Sequence, residues 1–119
     1  MKMETFEYNT SERFADVQLL RYRLNGFEEL TLQQKQYVYY LSEATLWGRD
    51  ITFDQFGRYN LEIRRILEAI ATHHSPLSTH LLTYLKRVWF SSGIYHHYGC
   101  EKFVPEFTPD ELRQWMQEA

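Results

Sequence analysis

The sequence has little cysteine, no long apolar run and no large excess of one charge. Its single cysteine, Cys100, excludes an internal disulfide framework and is neutral about the cellular compartment. No segment approaches the roughly 20 apolar residues of a membrane-spanning helix, so we expect no membrane partner. Thirteen basic and 16 acidic residues are mixed along the chain and give a net charge of −3. That balance argues against a nucleic-acid partner or an anionic membrane surface.

The sequence does contain enough apolar material for a folded domain. Apolar residues make up 44% of the 119 positions and aromatic residues 17%. A chain of this length can bury roughly two thirds of its unfolded surface, so we expect a single α-helical domain over residues 1–119. The start, MKMETFEYNTSERF, has no apolar run and is not a secretory signal. We therefore expect a cytoplasmic protein, with a signal removed earlier as the alternative that the sequence leaves open.

Helical periodicity dominates the chain and predicts an all-α fold of four to five helices with one irregular loop rich in aromatic residues and histidine. The predicted helices cover residues 31–47, 60–71, 78–92 and 109–118, with a shorter helix near 12–20. Residues 1–10 are polar and are predicted to be frayed. Residues 49–59 are predicted to form an irregular link, with a short strand as an option where Ile51 and Phe53 alternate with polar neighbours.

Several residue types mark the ends of the predicted helices. Thr31, Asn60 and Thr108 are expected to cap helix starts, the first and the last of them within capping boxes. Gly48 and Gly93 are expected to end helices in the left-handed conformation that glycine adopts without a Cβ clash.

The apolar stripes of the predicted helices should enclose one core. We expect that core to contain Leu41, Ile63, Leu67, Leu85 and Trp89. The charged residues of the third helix are predicted to face water; these are Glu62, Arg64, Arg65 and Glu68.

One connection carries unusually large side chains. Between Gly93 and Gly99 the sequence is Ile-Tyr-His-His-Tyr, with two imidazoles and two phenols where a connector normally has small polar residues. We call the segment Gly93–Gly99 the histidine loop. It lies outside every periodic stripe and is bracketed by glycines, so we expect a binding surface there, with structural packing as the alternative.

Two kinds of chemistry can be weighed for the five histidines and the cysteine. Adjacent residues on a helix point about 100° apart, so neither of the pairs 73–74 and 96–97 should supply two ligands to one zinc ion, whereas one histidine from each pair could bind zinc together with Cys100. Cys100 and His97 could act as nucleophile and base, although no third group is evident to orient the base. The chain contains no His-Glu dipeptide, so it lacks the His-Glu-x-x-His core of zinc proteases. We expect no cofactor in this chain alone.

Long collinear stretches of the sequence resemble a known family. These are FADVQLLRYRLNGFEELTLQQKQYVYYLSEATLWGRDITFDQFGRYNLEIRRILEAI, then GIYHHYGCEKFVP, then the helix start TPDEL. Together they resemble the N-terminal region of dipeptidyl peptidase III, in the style of its bacterial members. The resemblance covers the chain from Phe14 to Trp115.

The resemblance implies a two-lobed zinc exopeptidase that removes dipeptides from the N-termini of short peptides. The family binds zinc through a helical His-Glu motif and a downstream glutamate motif, and neither occurs in this chain. The chain would then be part of the lower lobe, inactive alone, with the zinc in the remainder of the parent protein. The family's cleft-lining aromatic residue falls on Tyr98, with His97 and Gly99 beside it. Human-like members carry other residues at the positions of His96 and His97.

Two functions from different classes follow. The first is a segment of a peptidase that contributes to the peptide cleft and has the remainder of that peptidase and a peptide substrate as partners. The second is a stand-alone helical module that binds a peptide or protein without catalysis. The chain stops at Ala119 inside a periodic segment, which favours a fragment of a longer protein. The roles of His73, His74 and His96 stay open in both interpretations.

Overall fold

The computed structural model describes residues 9–119. By their internal contacts these residues belong to two compact units, Met1–Gly48 and Arg49–Ala119. The fold-class prediction is confirmed, since helices predominate and the sheet in the described part of the chain has only two strands. The expectation of a single domain stays a prediction.

The described part of the first unit begins with a β-hairpin, so the prediction of a short helix near 12–20 is wrong. Strands β1 (Asn9–Phe14) and β2 (Val17–Leu20) pair antiparallel, with Phe14 opposite Val17. Burial alternates along β2, which is the period of a strand with one covered face. Of the polar start, residues 1–8 lie outside the described residues, and Asn9 and Thr10 belong to β1 rather than to a frayed end.

Helix α1 (Leu32–Leu46) follows a short 3₁₀ turn at Phe27–Glu29. Its predicted capping box is confirmed: the Gln34 backbone N–H donates to the Thr31 hydroxyl, and the Thr31 N–H donates to the Gln34 side chain. Gly48 does not have the predicted left-handed conformation, since the described glycines with positive φ are others. Trp47 occupies the C-cap of α1, with ordinary helical angles.

The apolar residues of α1 do not form the core face that was predicted. No residue of this helix is buried, and Leu41 is 48% exposed. The reason is visible in the run from Tyr37 to Leu41, where five consecutive apolar or aromatic side chains surround the helix rather than forming one stripe. Leu41 is therefore a wrong assignment to the core.

The second unit contains four helices: α2 (Arg49–Phe56), α3 (Asn60–His73), α4 (Thr79–Ser91) and α5 (Pro109–Glu118). The prediction of an irregular link with a strand at 49–59 is wrong, because α2 occupies most of it. Helical spacing lets Phe53 be buried while Ile51 stays 61% exposed. In a strand the two side chains would share a face, so their alternation with polar neighbours was misleading.

The core of the second unit is formed by α2, α3, α4 and the segment before α5. Its buried members are Phe53, Leu67, Ile70, Leu81, Leu85, Val88 and Phe107. Leu67 and Leu85 are thus confirmed, and Ile63 packs against the core while half-buried. The assignment of Trp89 to the core is wrong, because its side chain is 45% exposed and its indole N–H donates to the Glu68 carboxylate at 2.8 Å.

Arg64 is buried although its charge predicted a water-facing position. It is only 3% exposed and lies over the Phe53 ring, with its guanidinium carbon 4.7 Å from the ring centroid. Its guanidinium also pairs with the Asp50 carboxylate and, at 3.4 Å, with Glu68. A buried cation needs such partners, and α2, which the sequence did not predict, supplies the first of them.

The ends of the helices differ partly from the predicted ends. The Thr108 capping box is confirmed, with proline in the first turn of α5. At the end of α4 the left-handed residue is Ser92, with φ 57°, rather than Gly93. Asn60 does not cap α3: Tyr59 occupies the N-cap position, and no side chain caps this start. None of the helices described over residues 9–119 is long and apolar enough to cross a bilayer.

Candidate functional site: a ring-lined cavity at the histidine loop

The histidine loop is held in place by backbone hydrogen bonds to the segment that follows it. The Phe103 N–H donates to the Ile94 carbonyl at 2.8 Å, and the His96 N–H donates to the Glu101 carbonyl at 2.8 Å. A bridge pairs Tyr95 with Lys102 between these bonds. The chain therefore leaves α4, turns within the loop and returns beside itself, with the imidazoles at the tip.

Aromatic rings at this tip stack on one another. The His96 and His97 rings lie with centroids 4.3 Å apart and planes 21° apart, and the Tyr98 ring lies 4.3 Å from that of His97. Phe90 meets His97 edge to face at 4.9 Å. The Tyr98 backbone N–H donates to His96 Nδ1 at 3.1 Å, so this nitrogen acts as an acceptor. These contacts give a connecting segment a defined ring arrangement.

Beside the loop lies a cavity of about 400 Å³, which we call the ring-lined cavity. Three parts of the second unit form its wall: the end of α2 with the turn after it, the start of α3, and the segment from the end of α4 through the loop. The lining residues are Phe56, Gly57, Asn60, Ser91, Gly93, Tyr95, His96, His97, Gly99 and Cys100.

Asn60 is the most buried polar residue of this wall. It is 1% exposed, and its Oδ1 accepts a hydrogen bond of 3.2 Å from the Ile94 backbone N–H. Its Nδ2 has no hydrogen-bond partner among the described residues. A Cβ added to Gly57 or to Gly93 would lie within 3.0 Å of Nδ2, so both positions need glycine for the amide to fit. The side chain thus fixes the loop with one end and leaves its donor end unused.

The structure brings two of the three predicted site residues together at the cavity. His97 and Gly99 line it, and His97 Nδ1 lies 3.4 Å from the Ser91 hydroxyl. Tyr98 is not among the lining residues, and its side chain is 90% exposed. The predicted orientation of Tyr98 toward a ligand stays a prediction, and what the structure describes is an exposed phenol on the rim of a ring cluster.

Sequence reasoning missed most of the cavity wall. Asn60 was expected to cap a helix and Phe56 to belong to the irregular link 49–59, and neither is close in sequence to the loop. Gly57 was the available signal, since a glycine can mark a close approach of backbone to a side chain. The sequence around Gly57 does not identify which segment of the chain approaches it.

The other histidines are separate from this site. His74 Nδ1 lies 3.3 Å from a Glu118 carboxylate oxygen, beside the Trp115 ring of α5. His73 is exposed at the end of α3. Within residues 9–119 no group of three His, Cys, Asp or Glu side chains is placed to hold a metal ion. Cys100 is exposed at the cavity rather than packed in a core.

The comparisons with known proteins assign no family. No family model matches the chain, and no curated protein matches it. The likeness to dipeptidyl peptidase III therefore rests on the sequence stretches quoted above.

Proposed function

We propose that this chain is the N-terminal helical segment of a zinc-dependent dipeptidyl peptidase of the dipeptidyl peptidase III type. In this proposal it forms part of the wall of the peptide-binding cleft, and the zinc and the catalytic groups belong to the remainder of the parent protein. Its partners are that remainder and a peptide substrate. A cytoplasmic location belongs to the same proposal. The isolated chain should release no dipeptide from a chromogenic substrate.

The observation that carries the proposal is the presentation of Tyr98. Its ring is 90% exposed beside two imidazoles, at the position where the resemblance expects a cleft-lining aromatic residue. An exposed aromatic side chain leaves apolar surface in contact with water, which is unfavourable unless a ligand covers it. Tyrosine also offers a large contact area with only two rotatable bonds to immobilise. A bound peptide is the cover that the resemblance suggests.

The cavity next to Tyr98 supports the same function. His97 and Gly99 are the neighbours of the exposed ring in the chain and also line the ring-lined cavity, so a peptide crossing Tyr98 would meet a recess of suitable chemistry. Binding sites in proteins are commonly apolar recesses with a few polar groups, and this wall has rings and one buried amide. No part of this arrangement requires a catalytic group on this chain.

The test is Tyr98→Ala in the full-length parent. Removal of an interface aromatic contact of about 1–2 kcal/mol should raise the peptide KM about 5- to 30-fold. The thermal midpoint should change little, because an exposed ring contributes little to folding. Tyr22→Ala is the matched control, since Tyr22 is 75% exposed and lies outside the loop. An unchanged KM with a midpoint lowered by several degrees would make Tyr98 a packing residue.

A second function, a stand-alone helical interaction module, is favoured by the surface of α1. Five large side chains there are more than 60% exposed: Leu32, Tyr37, Tyr40, Leu46 and, at the C-cap, Trp47. A helix with this many large exposed apolar side chains is a candidate interaction surface. The length of the open reading frame distinguishes the two functions. A reading frame that continues for several hundred residues and encodes a His-Glu zinc helix selects the peptidase, and a stop codon after Ala119 selects the module.

A further inference from the structure

Helix α1 has a face on which its two halves match. Tyr39 is the middle one of its 15 residues. Leu32 and Leu46 each lie seven residues from Tyr39, and Lys35 and Glu43 each lie four residues from it. At about 100° per residue these five side chains fall within a stripe about 80° wide that is centred on Tyr39. We call these five residues the Tyr39 face.

The Tyr39 face is open to a partner. Tyr39 is 59% exposed, and the leucines at the two ends of the face are 72% and 63% exposed. Glu43 is exposed, whereas Lys35 is half-buried. The Lys35 ammonium donates to the Glu28 carbonyl at 3.1 Å and lies 5.9 Å from the centroid of the Phe27 ring. Because an ammonium has three donor hydrogens, it can bind a further acceptor at the same time.

The order of the charges along this face favours a second copy of the chain as the partner. When two α1 helices lie antiparallel across a two-fold axis at Tyr39, each residue faces the one at the same distance on the other side of Tyr39. Lys35 then meets Glu43 of the second copy, and the symmetry repeats this contact. Leu32 meets Leu46 of the second copy at both ends. A partner of another sequence would not require the two halves of the helix to match.

The other side of α1 gives no such register. Lys35 and Glu43 are the only charged residues of the helix, and both belong to the Tyr39 face. Tyr37 and Leu41 lie on the opposite side, where apolar contacts alone would not fix the direction or the alignment of a second helix. Opposite charges at matched positions do fix both, because a parallel or shifted pair would lose the two ion pairs.

We propose that two copies of this chain associate through the Tyr39 face, with their α1 helices antiparallel. The inference does not depend on the peptidase proposal, and it assigns a partner to part of the exposed surface of α1. A helix of 15 residues is about 22 Å long, so one helix pair buries less than the roughly 800 Å² per partner of a standard interface. The dimer should therefore be weak, with a Kd of about 10–100 µM.

The test is sedimentation equilibrium of the 119-residue chain and its charge variants from about 5 to 500 µM. Lys35→Glu and Glu43→Lys each turn both ion pairs into like-charge contacts, and each should raise the Kd about tenfold at low salt. The double variant Lys35→Glu/Glu43→Lys has opposite charges at both contacts again, so its Kd should return to within about threefold of the wild-type value. An equimolar mixture of the two single variants should form a heterodimer for the same reason.

The double variant also separates association from local folding. Lys35→Glu removes the contacts of the ammonium with Glu28 and Phe27, and the double variant lacks these contacts too. A recovered dimer therefore reports the charge pairing between copies rather than the local structure of α1.

A pair of tyrosine variants tests the apolar part of the face. Tyr39→Ala removes the contact at the two-fold axis and should raise the Kd at least about tenfold. Tyr37→Ala is the matched control, because Tyr37 is 66% exposed and lies about 200° around the helix from Tyr39. It should leave the Kd within about twofold of the wild-type value.

The outcomes are distinct. A wild-type chain that stays monomeric up to about 500 µM overturns the proposal and leaves the face to another partner, such as the remainder of a longer protein. A dimer that the double variant does not restore, or that Tyr37→Ala weakens as much as Tyr39→Ala, overturns the assignment to this face. None of these results changes the KM expected for Tyr98→Ala in the parent, so the proposed function is tested separately.

Discussion

The Asn60 side-chain oxygen accepts a hydrogen bond from the backbone N–H of Ile94, 34 residues further along the chain. This one contact joins the start of α3 to the segment that leaves α4. It fixes where the histidine loop begins, because Ile94 is also bonded through its carbonyl to the Phe103 N–H. The positions of His96 and His97 at the cavity therefore depend on a side chain that belongs to another helix.

Gly93→Ala should disturb this junction. The residue has φ +156°, which side-chain-bearing residues rarely adopt, and a Cβ there would lie within 3.0 Å of the Asn60 amide. We expect a loss of about 1–3 kcal/mol in the free energy of unfolding, measured by urea denaturation. Gly99→Ala is the control, since a Cβ at Gly99 meets no atom within 4 Å. It should change stability by less than about 0.5 kcal/mol.

The same substitution in an Asn60→Ala background separates the clash from the backbone strain. Without the amide side chain the Cβ that Gly93→Ala introduces has no crowded neighbour, so the additional cost of this substitution should become smaller. Equal costs of Gly93→Ala in the two backgrounds would assign the whole effect to the backbone. Equal costs of Gly93→Ala and Gly99→Ala in the wild-type background would contradict the described junction.

Leu85→Ala should be strongly destabilising. Leu85 is 0% exposed and packs within the buried cluster of the second unit. Removal of a buried leucine side chain leaves a cavity and costs about 2–5 kcal/mol in the free energy of unfolding. Leu46→Ala makes the same chemical change at a side chain that is 63% exposed and should cost much less. Similar losses at the two positions would mean that burial does not decide the outcome.

Local signals in the sequence were sufficient for the helices with one clear stripe. The capping boxes at Thr31 and Thr108 are confirmed because both partners of each box are three residues apart. The stripes of α3 and α4 identified Leu67 and Leu85, since a period of 3.6 residues over a whole helix is difficult to produce otherwise. These features need no knowledge of what the helix packs against.

Three of the predictions that failed depend on a partner distant in sequence or on pairing between segments. Residues 12–20 are too short for periodicity to distinguish a helix from a strand, and the pairing of β1 with β2 decided the outcome. Arg64 was assigned to water because its pairing with Asp50 requires α2, whose helical character the sequence did not predict. Asn60 was assigned to a cap because the Ile94 N–H that it binds lies beyond a whole helix.

The last prediction concerns the Asp50–Arg64 pair. The hydrogen bond from the Arg64 guanidinium, above all, holds the pKa of the Asp50 carboxyl below its ordinary value of 3.8, and the hydrogen bond and charge of Arg65 act in the same direction. A carboxyl whose pKa is lowered in the folded state stabilises that state fully at pH values above its unfolded pKa. This stabilisation is lost as the pH falls through the lower pKa of the folded state. The loss should therefore occur below about pH 3.8.

The measurement is the free energy of unfolding of the wild-type chain and of Asp50→Asn, from neutral pH downward past 3.8. Asp50→Asn should be less stable at neutral pH, because buried Arg64 loses its carboxylate partner while Glu68 remains 3.4 Å away. The stability difference between the two proteins should shrink as the pH falls, because protonation of Asp50 removes the same charge in the wild type. Asp54→Asn, an exposed carboxylate of the same helix, should show no such convergence. A stability difference between wild type and Asp50→Asn that stays constant down to the lowest pH would show that the effect of Asp50 is not its charge.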